Sequence, residues 1–376
     1  MGSLDSSTDE PIVAKFVTPP FDPGYPVKWN PHYHSYEKMA DWSRKWMLSL
    51  EVDKLLSMKM IEDLISHNMP SFIARISPLC GEWGYLWSVK IDLILFILDD
   101  YTDTTPEGKE PQKLLRLFLD FNKLVLWEFP DDPKLRRVLD AMLDYAETAE
   151  ARERYSQSME TFLAEARTQP NTEYTGPISP AFYTFRDAWV DGLKHSTCNS
   201  MLIVAHYAQD WLWGCMFEST YRSEDRFPES VEACIAIRKK TAGILITAVA
   251  LEVAYFLNSP LDYMYSAPML RVLDALNDIV AWHNDIWSFK KEIQVAKDYF
   301  NLVLSLNQHS KMTFQQAAEK VTAMVIVRIQ DFENAIVDLE SITPPELKRN
   351  FEATRDMGRY LIAGTHDWHQ VSKRYA

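Results

Sequence analysis

Paired cysteines, basic stretches and strand-like alternation are what this 376-residue chain lacks. Cys80, Cys198, Cys215 and Cys234 show no CxxC spacing and no paired histidines, which argues against a zinc site or a disulfide framework. They read as reduced core residues. Acids outnumber bases by 53 to 39, for a formal charge of −14. A nucleic-acid binder needs a basic face to neutralise phosphate, so that class is excluded, and any anionic ligand must be held by a few placed cations or by metals. No Gly/Ser-rich linker, charge block or internal repeat divides the chain. No basic leader with an apolar core opens it, and no uncharged run approaches bilayer length, so a cytoplasmic protein without membrane insertion is expected.

What is present is apolar and helical. Hydrophobic residues make up 47% of the chain, enough for a large core. Residues 1–32 carry Pro11, Pro19, Pro20, Pro23, Pro26 and Pro31, which predicts an extended arm. From 33 to 376 a single helical domain is expected. Apolar residues recur every three or four positions over about 36–58, 83–103, 110–128, 133–167, 181–220, 229–257, 267–296, 311–340 and 344–373. Proline-rich punctuation falls between several of these segments: TTPEGKEP, FPDDP, TQPNTEYTGPISP and ITPPEL. The fold class is therefore all-α, a bundle of about ten or more helices around a deep cavity.

Within the run IDLILFILDDYTD, three acids close an otherwise apolar helix. At about 100° per residue, Phe96, Asp99 and Asp103 share a face and Asp100 lies a third of a turn away. Acids at the negative end of a helix dipole are unfavourable, and the run before them is too apolar for an exposed face. A bound Mg²⁺, which prefers carboxylate and phosphate oxygens, would turn their repulsion into coordination. The bland alternative is a solvated helix end. DDPKL at 131–135 has two acids and a proline and reads as a helix N-cap.

A second stripe lies in HNDIWSFKKE. Asn284, Ser288 and Glu292 stand at i, i+4 and i+8, within about 80° of arc on one helix. An amide oxygen, a hydroxyl and a carboxylate form an oxygen-only set suited to a hard divalent ion. The register starting at Asn277 and Asp278 fails, because Ala281 stands where the hydroxyl is needed.

Together DDYTD and NDIWSFKKE resemble the aspartate-rich and NSE motifs of class I terpene synthases, with further likeness to fungal and bacterial sesquiterpene cyclases from about residue 30 to 375. The resemblance implies that Asp99, Asp100 and Asp103 on one side and Asn284, Ser288 and Glu292 on the other hold three Mg²⁺ ions across a prenyl diphosphate. It assigns diphosphate contacts to Arg238, 46 positions before Asn284, and to Lys291, Arg374 and Tyr375. It makes Phe72, Phe96 and Trp368 the candidates for lining the hydrocarbon site, ahead of Trp87 and Trp282. Aromatic faces attract cations by roughly 0.5–2 kcal/mol each and exclude water. Where some relatives carry an acid three residues after the sensor arginine, this chain has Thr241, then Ala242 and Gly243, and the glycine predicts a local helix break.

The implied reaction is ionisation of farnesyl diphosphate and cyclisation of the resulting cation to a C15 hydrocarbon or alcohol, with a C20 substrate as the alternative. A chain-elongating prenyltransferase would need a second aspartate-rich motif. A metal phosphohydrolase built on His283, His366 and Asp367 lacks its remaining histidines. A helical protein that binds prenyl diphosphate without turnover is the non-catalytic alternative. The chain is expected to act as a monomer or homodimer.

Overall fold

The computed structural model describes residues 16–50, 52–54, 56–105, 108, 110, 111, 114, 188, 189, 191–293 and 299–375. The expected helices at 110–128 and 133–167, DDPKL, and the start of the segment at 181 fall largely or wholly outside these residues. Twelve α-helices are described: α1 (Tyr36–Ser49), α2 (Met58–Ser66), α3 (Met69–Ile76), α4 (Glu82–Thr104), α5 (Cys198–Ser223), α6 (Val231–Thr241), α7 (Ile244–Ala254), α8 (Leu261–Met264), α9 (Ala267–Lys291), α10 (Leu302–Ser310), α11 (Phe314–Ile342) and α12 (Lys348–Val371). Short 3₁₀ turns occur at Val52–Lys54, Pro345–Leu347 and Lys373–Tyr375. No strand occurs among the described residues, and none of their helices is long and apolar enough to cross a membrane.

Helix starts follow from local chemistry. The side chains of Ser35, Ser57, Thr197, Ser230 and Ser266 each accept a hydrogen bond from a backbone N–H of the first turn, and Thr313 with Gln316 forms a capping box. Each such cap stabilises its helix by about 1 kcal/mol. The helix expected at 36–58 stops at Ser49, and Ser57 caps a separate helix, α2, that starts at Met58 and was not expected.

Helix α4 buries Ile91, Leu93, Ile94, Ile97 and Leu98, a distribution around its circumference that suits a central helix and not a surface one. It packs on α3 and α7. Helix α9 is equally buried and runs along α11, with α7 and α12 also against it. Helices α3 and α12 approach closely at Gly364, where an added Cβ would lie 2.8 Å from the backbone carbon of Arg75. The buried Arg75 closes that junction by donating to Asp367 (2.6 Å) and to the Ser71 carbonyl (2.9 Å). The two metal-motif helices, α4 and α9, thus both pack against α7, and α12 packs on α7 and α9.

Residues 16–32 form no helix, as the prolines predict, and lie along the bundle. Phe16 meets Phe289 edge-on at 4.4 Å, and Phe21 packs on His283 and His366 at 4.9 and 5.1 Å. Buried Asn30 anchors the end of the arm by donating to the carbonyls of Ser77 and Cys80. The three described cysteine side chains, Cys80, Cys215 and Cys234, are unbridged and buried.

Candidate active site

An open cavity lies between α4, α6, α7, α9 and α12. Asp99, Arg238, Asn284, Arg374 and Tyr375 form its polar rim, while Phe72, Leu95, Phe96, Trp211, Val280 and Trp368 supply much of its apolar wall. Both sequence motifs therefore reach one hollow.

Their meeting point is the 3₁₀ turn after α12. Arg374 Nη2 donates to Asp99 Oδ2 at 3.1 Å, and its Nη1 lies 3.7 Å from Asp100. The next residue, Tyr375, accepts through Oη from the Asn284 amide at 2.7 Å. Adjacent residues thus touch one member of each metal motif. Burial pushes the Tyr375 phenol up, so it is neutral and can also donate. Asp103 follows Asp99 by one turn in α4, but its side chain lies outside the described residues.

On α6, Arg238 donates from Nε to Asp285 at 2.9 Å and from Nη2 to Asn284 Oδ1 at 3.1 Å. Burial opposes its charge, but Asp285, Glu292 and Glu218 outweigh that opposition and raise its pKa. The guanidinium is accordingly a fixed cation beside the NSE stripe. Asp285, fully buried, also accepts from the Leu302 backbone N–H at 2.9 Å.

Ser288 and Glu292 are held from behind by Asn301. Its amide donates to Glu292 Oε2 (2.7 Å), to Ser288 Oγ (3.3 Å) and to the Asp285 carbonyl (2.8 Å). Its Oδ1 meanwhile caps α10 by accepting from the Val303 and Leu304 N–H groups. A hydroxyl and carboxylate receiving N–H donors are fixed as acceptors, the role a cation ligand requires. The donor set is oxygen only, so the residues present fit a hard divalent ion.

The helix break appears where Gly243 predicts it. Arg238, Lys239 and Lys240 close α6, Gly243 adopts φ +71°, and α7 begins at Ile244. Thr241, Ala242 and Gly243 all line the cavity, and the Thr241 carbonyl accepts from Trp211 Nε1 at 3.0 Å. Of the aromatic candidates, Phe72 and Phe96 contact Trp368, with ring centroids at 5.0 and 6.5 Å. Arg374 lies over the Phe96 ring at 4.6 Å. Trp87 and Trp282 are not cavity-lining residues: both are buried, and Trp87 donates to the Ala188 carbonyl instead. Lys291 is half-buried outside the lining, though its charge and that of Arg374 reinforce burial in lowering the pKa of His67.

The rejected register is used structurally. Asn277 donates to the Lys239 carbonyl, and Asp278 is paired with Lys239 and Arg328. His283 hydrogen-bonds to both His366 and His369, and burial holds His283 and His369 neutral.

Residues 137–331 match a family described as terpene synthase family 2, C-terminal metal binding, a span that includes the whole NSE stripe. The chain belongs to the terpene synthase family. The alpha-gurjunene synthase of Marchantia polymorpha is 23% identical to this terpene synthase over 345 residues, covering 88% of this chain and 79% of the relative. The 4-epi-cubebol synthase of Streptosporangium roseum is 27% identical over 170 residues, 44% of this chain and 49% of its own. In structure, the germacradien-4-ol synthase of Streptomyces citricolor superposes with a TM-score of 0.67 at 16% identity, covering 92% of this chain and 96% of that one. That likeness establishes the all-α fold.

Sequence reasoning left three residues of this site unassigned. Asp285 is the second letter of NDIWSFKKE and was available from the motif. Asn301 lies beyond the helix and carries no local signal, because its role arises from a chain return. Asp92, within IDLILFIL, lines the cavity among apolar neighbours.

Proposed function

We propose that this terpene synthase is a sesquiterpene cyclase that ionises farnesyl diphosphate and folds the C15 cation into a cyclic hydrocarbon or alcohol. The observation that carries the reading is the pair Arg374 and Tyr375, which joins Asp99 to Asn284 across the mouth of an aromatic-lined cavity. The Streptosporangium relative is described as cyclising (2E,6E)-farnesyl diphosphate, which supports the C15 substrate.

Asp99, Asp100 and Asp103 on α4, with Asn284, Ser288 and Glu292 on α9, would hold Mg²⁺, three ions by family resemblance. When bound, magnesium supplies the Lewis acidity that weakens the bond between the allylic carbon and the diphosphate oxygen. Arg238 and Arg374 now spend their donors on Asn284 and Asp99, and in the substrate complex they turn to the phosphate oxygens, where each guanidinium binds in a fork. Tyr375 adds a neutral donor, and Lys291 contributes charge from just beside the rim. These contacts strengthen as negative charge develops on the leaving group, so they favour ionisation over mere binding.

Phe72, Phe96 and Trp368 then exclude water and stabilise the hydrocarbon cation. The ring quadrupole that now holds the Arg374 guanidinium over Phe96 is the same property that attracts an allylic cation. The expected assembly is a monomer or homodimer.

The test is an incubation of purified protein with Mg²⁺ and farnesyl diphosphate. Equimolar pyrophosphate and a cyclic C15 product are expected. A product from geranylgeranyl diphosphate alone would move the substrate to C20, and tight binding of both diphosphates without turnover would remove the catalytic reading.

A further inference from the structure

Deep in the cavity lies an acid that neither diphosphate binding nor metal coordination uses. Asp92, Phe96 and Asp99 fall at i, i+4 and i+7 on α4, so they share a face and descend from rim to floor. All three line the cavity, as does Leu95. Asp92 is 2% exposed. Its Oδ1 accepts from the Thr247 hydroxyl on α7 at 3.0 Å, while its buried Oδ2 has no hydrogen-bond partner among the described residues.

A carboxyl with one orphaned oxygen in a hydrocarbon-binding chamber is expensive to bury unless it stays neutral. Burial, partly offset by the Thr247 hydrogen bond, pushes Asp92 up to about 7. Asp92 therefore retains its proton up to about pH 7, at a position that lines the cavity. The Asp99 carboxylate, two turns away at the rim, is instead held by Arg374.

We propose that Asp92 is a catalytic acid and base that re-ionises a neutral olefin part-way through the cyclisation. The inference rests on the cyclase reading. The first cyclic cation loses a proton to the departing diphosphate, and the broken C–H pair becomes a double bond. Oδ2–H of Asp92 then gives its proton to one carbon of a double bond in that olefin. The π pair forms the new C–H bond and the neighbouring carbon becomes cationic. At low dielectric the carboxylate left behind attracts this cation more strongly than it would in water. After further ring closure the carboxylate takes a proton from a carbon beside the final cation, whose C–H pair becomes the product double bond. Asp92 ends neutral, and the net reaction is substrate to cyclic hydrocarbon plus protonated diphosphate.

The experiment is turnover of farnesyl diphosphate with Mg²⁺ in D₂O, with product masses compared for the wild type and Asp92→Asn. The amide keeps an acceptor for Thr247 but has no acidic proton. Wild-type product is expected to carry one carbon-bound deuterium, and Asp92→Asn to yield a less cyclised, unlabelled olefin. A wild-type product without deuterium overturns the proposal, and so does the same labelled product from Asp92→Asn. An alcohol bearing medium oxygen and no carbon-bound deuterium also overturns it. The wild-type measurement requires no variant to fold. Pyrophosphate release accompanied by an unlabelled hydrocarbon defeats this proposal alone, whereas failure to release pyrophosphate defeats the cyclase reading beneath it.

Discussion

Arg374 reaches Asp99 across 275 residues of sequence and 3.1 Å of space, placing a cation against the acid that opens the aspartate-rich motif. This pairing compensates the negative end of α4, where several carboxylates collect at the unfavourable pole of the helix dipole. Replacing Arg374 with Ala is expected to slow pyrophosphate release by roughly 100-fold, as loss of one preorganised charged donor typically does. Arg374→Lys should recover part of it, since an ammonium supplies charge without the fork. A steady-state pyrophosphate assay checks both, and Arg374→Ala within threefold of wild type would remove Arg374 from the ionisation step.

Asp285 is buried against Arg238 and the start of α10. Truncating it leaves Arg238 without its nearest carboxylate. Asp285→Ala is expected to cost about 3–5 kcal/mol in chemical denaturation, the range for breaking a buried ion pair. Activity should fall as well, because Arg238 also orients Asn284. Unchanged stability would mean that the pair is replaced by solvent.

Metal and diphosphate are expected to bind as a unit. With EDTA, turnover should stop, and inorganic pyrophosphate alone should leave the melting temperature nearly unchanged. With Mg²⁺ and pyrophosphate together at 100 times the dissociation constant, the folded state gains roughly 2.7 kcal/mol, visible as a higher melting temperature. Asp99→Asn and Glu292→Gln should each reduce that gain. Equal stabilisation by pyrophosphate with and without Mg²⁺ would point to an arginine-only site.

Stability should also report on Asp92. Its folded pKa of about 7 lies above its ordinary 3.8, so the folded state binds the proton more tightly than the unfolded one. The associated stability is fully present below pH 3.8, falls as pH rises from there, and is lost above about 7. Asp92→Asn lacks this titration, so the difference between variant and wild type should shift in the variant's favour by on the order of 4 kcal/mol across that window. Denaturation curves at several pH values measure it; parallel profiles would mean that Asp92 is ionised when buried.

Much of the frame was legible. Helix α4 was expected over 83–103 and runs Glu82–Thr104, because its apolar run is long and Pro106 follows it. The segment 229–257 was expected to be interrupted at Gly243, and it is. Helices α2 and α3, which fall between the expected segments 36–58 and 83–103, were missed because nine and eight residues, parted at left-handed Asn68, are too few for a clear period. Helix α10 was missed for its nine residues, too few for a clear period. For the site, spacing selected which oxygens share a stripe on one helix. It carried no information on Asn301 or on Trp87, whose positions depend on how separate segments return against the bundle.

Asn301 gives the site a thermal fuse. One amide both starts α10 and braces Ser288 and Glu292, so fraying of that first turn would loosen two of the metal-motif side chains while every one of them remains in the chain. Heat inactivation could then precede global melting, and substitutions that reinforce the opening turn of α10 would extend the working temperature without altering anything that touches substrate.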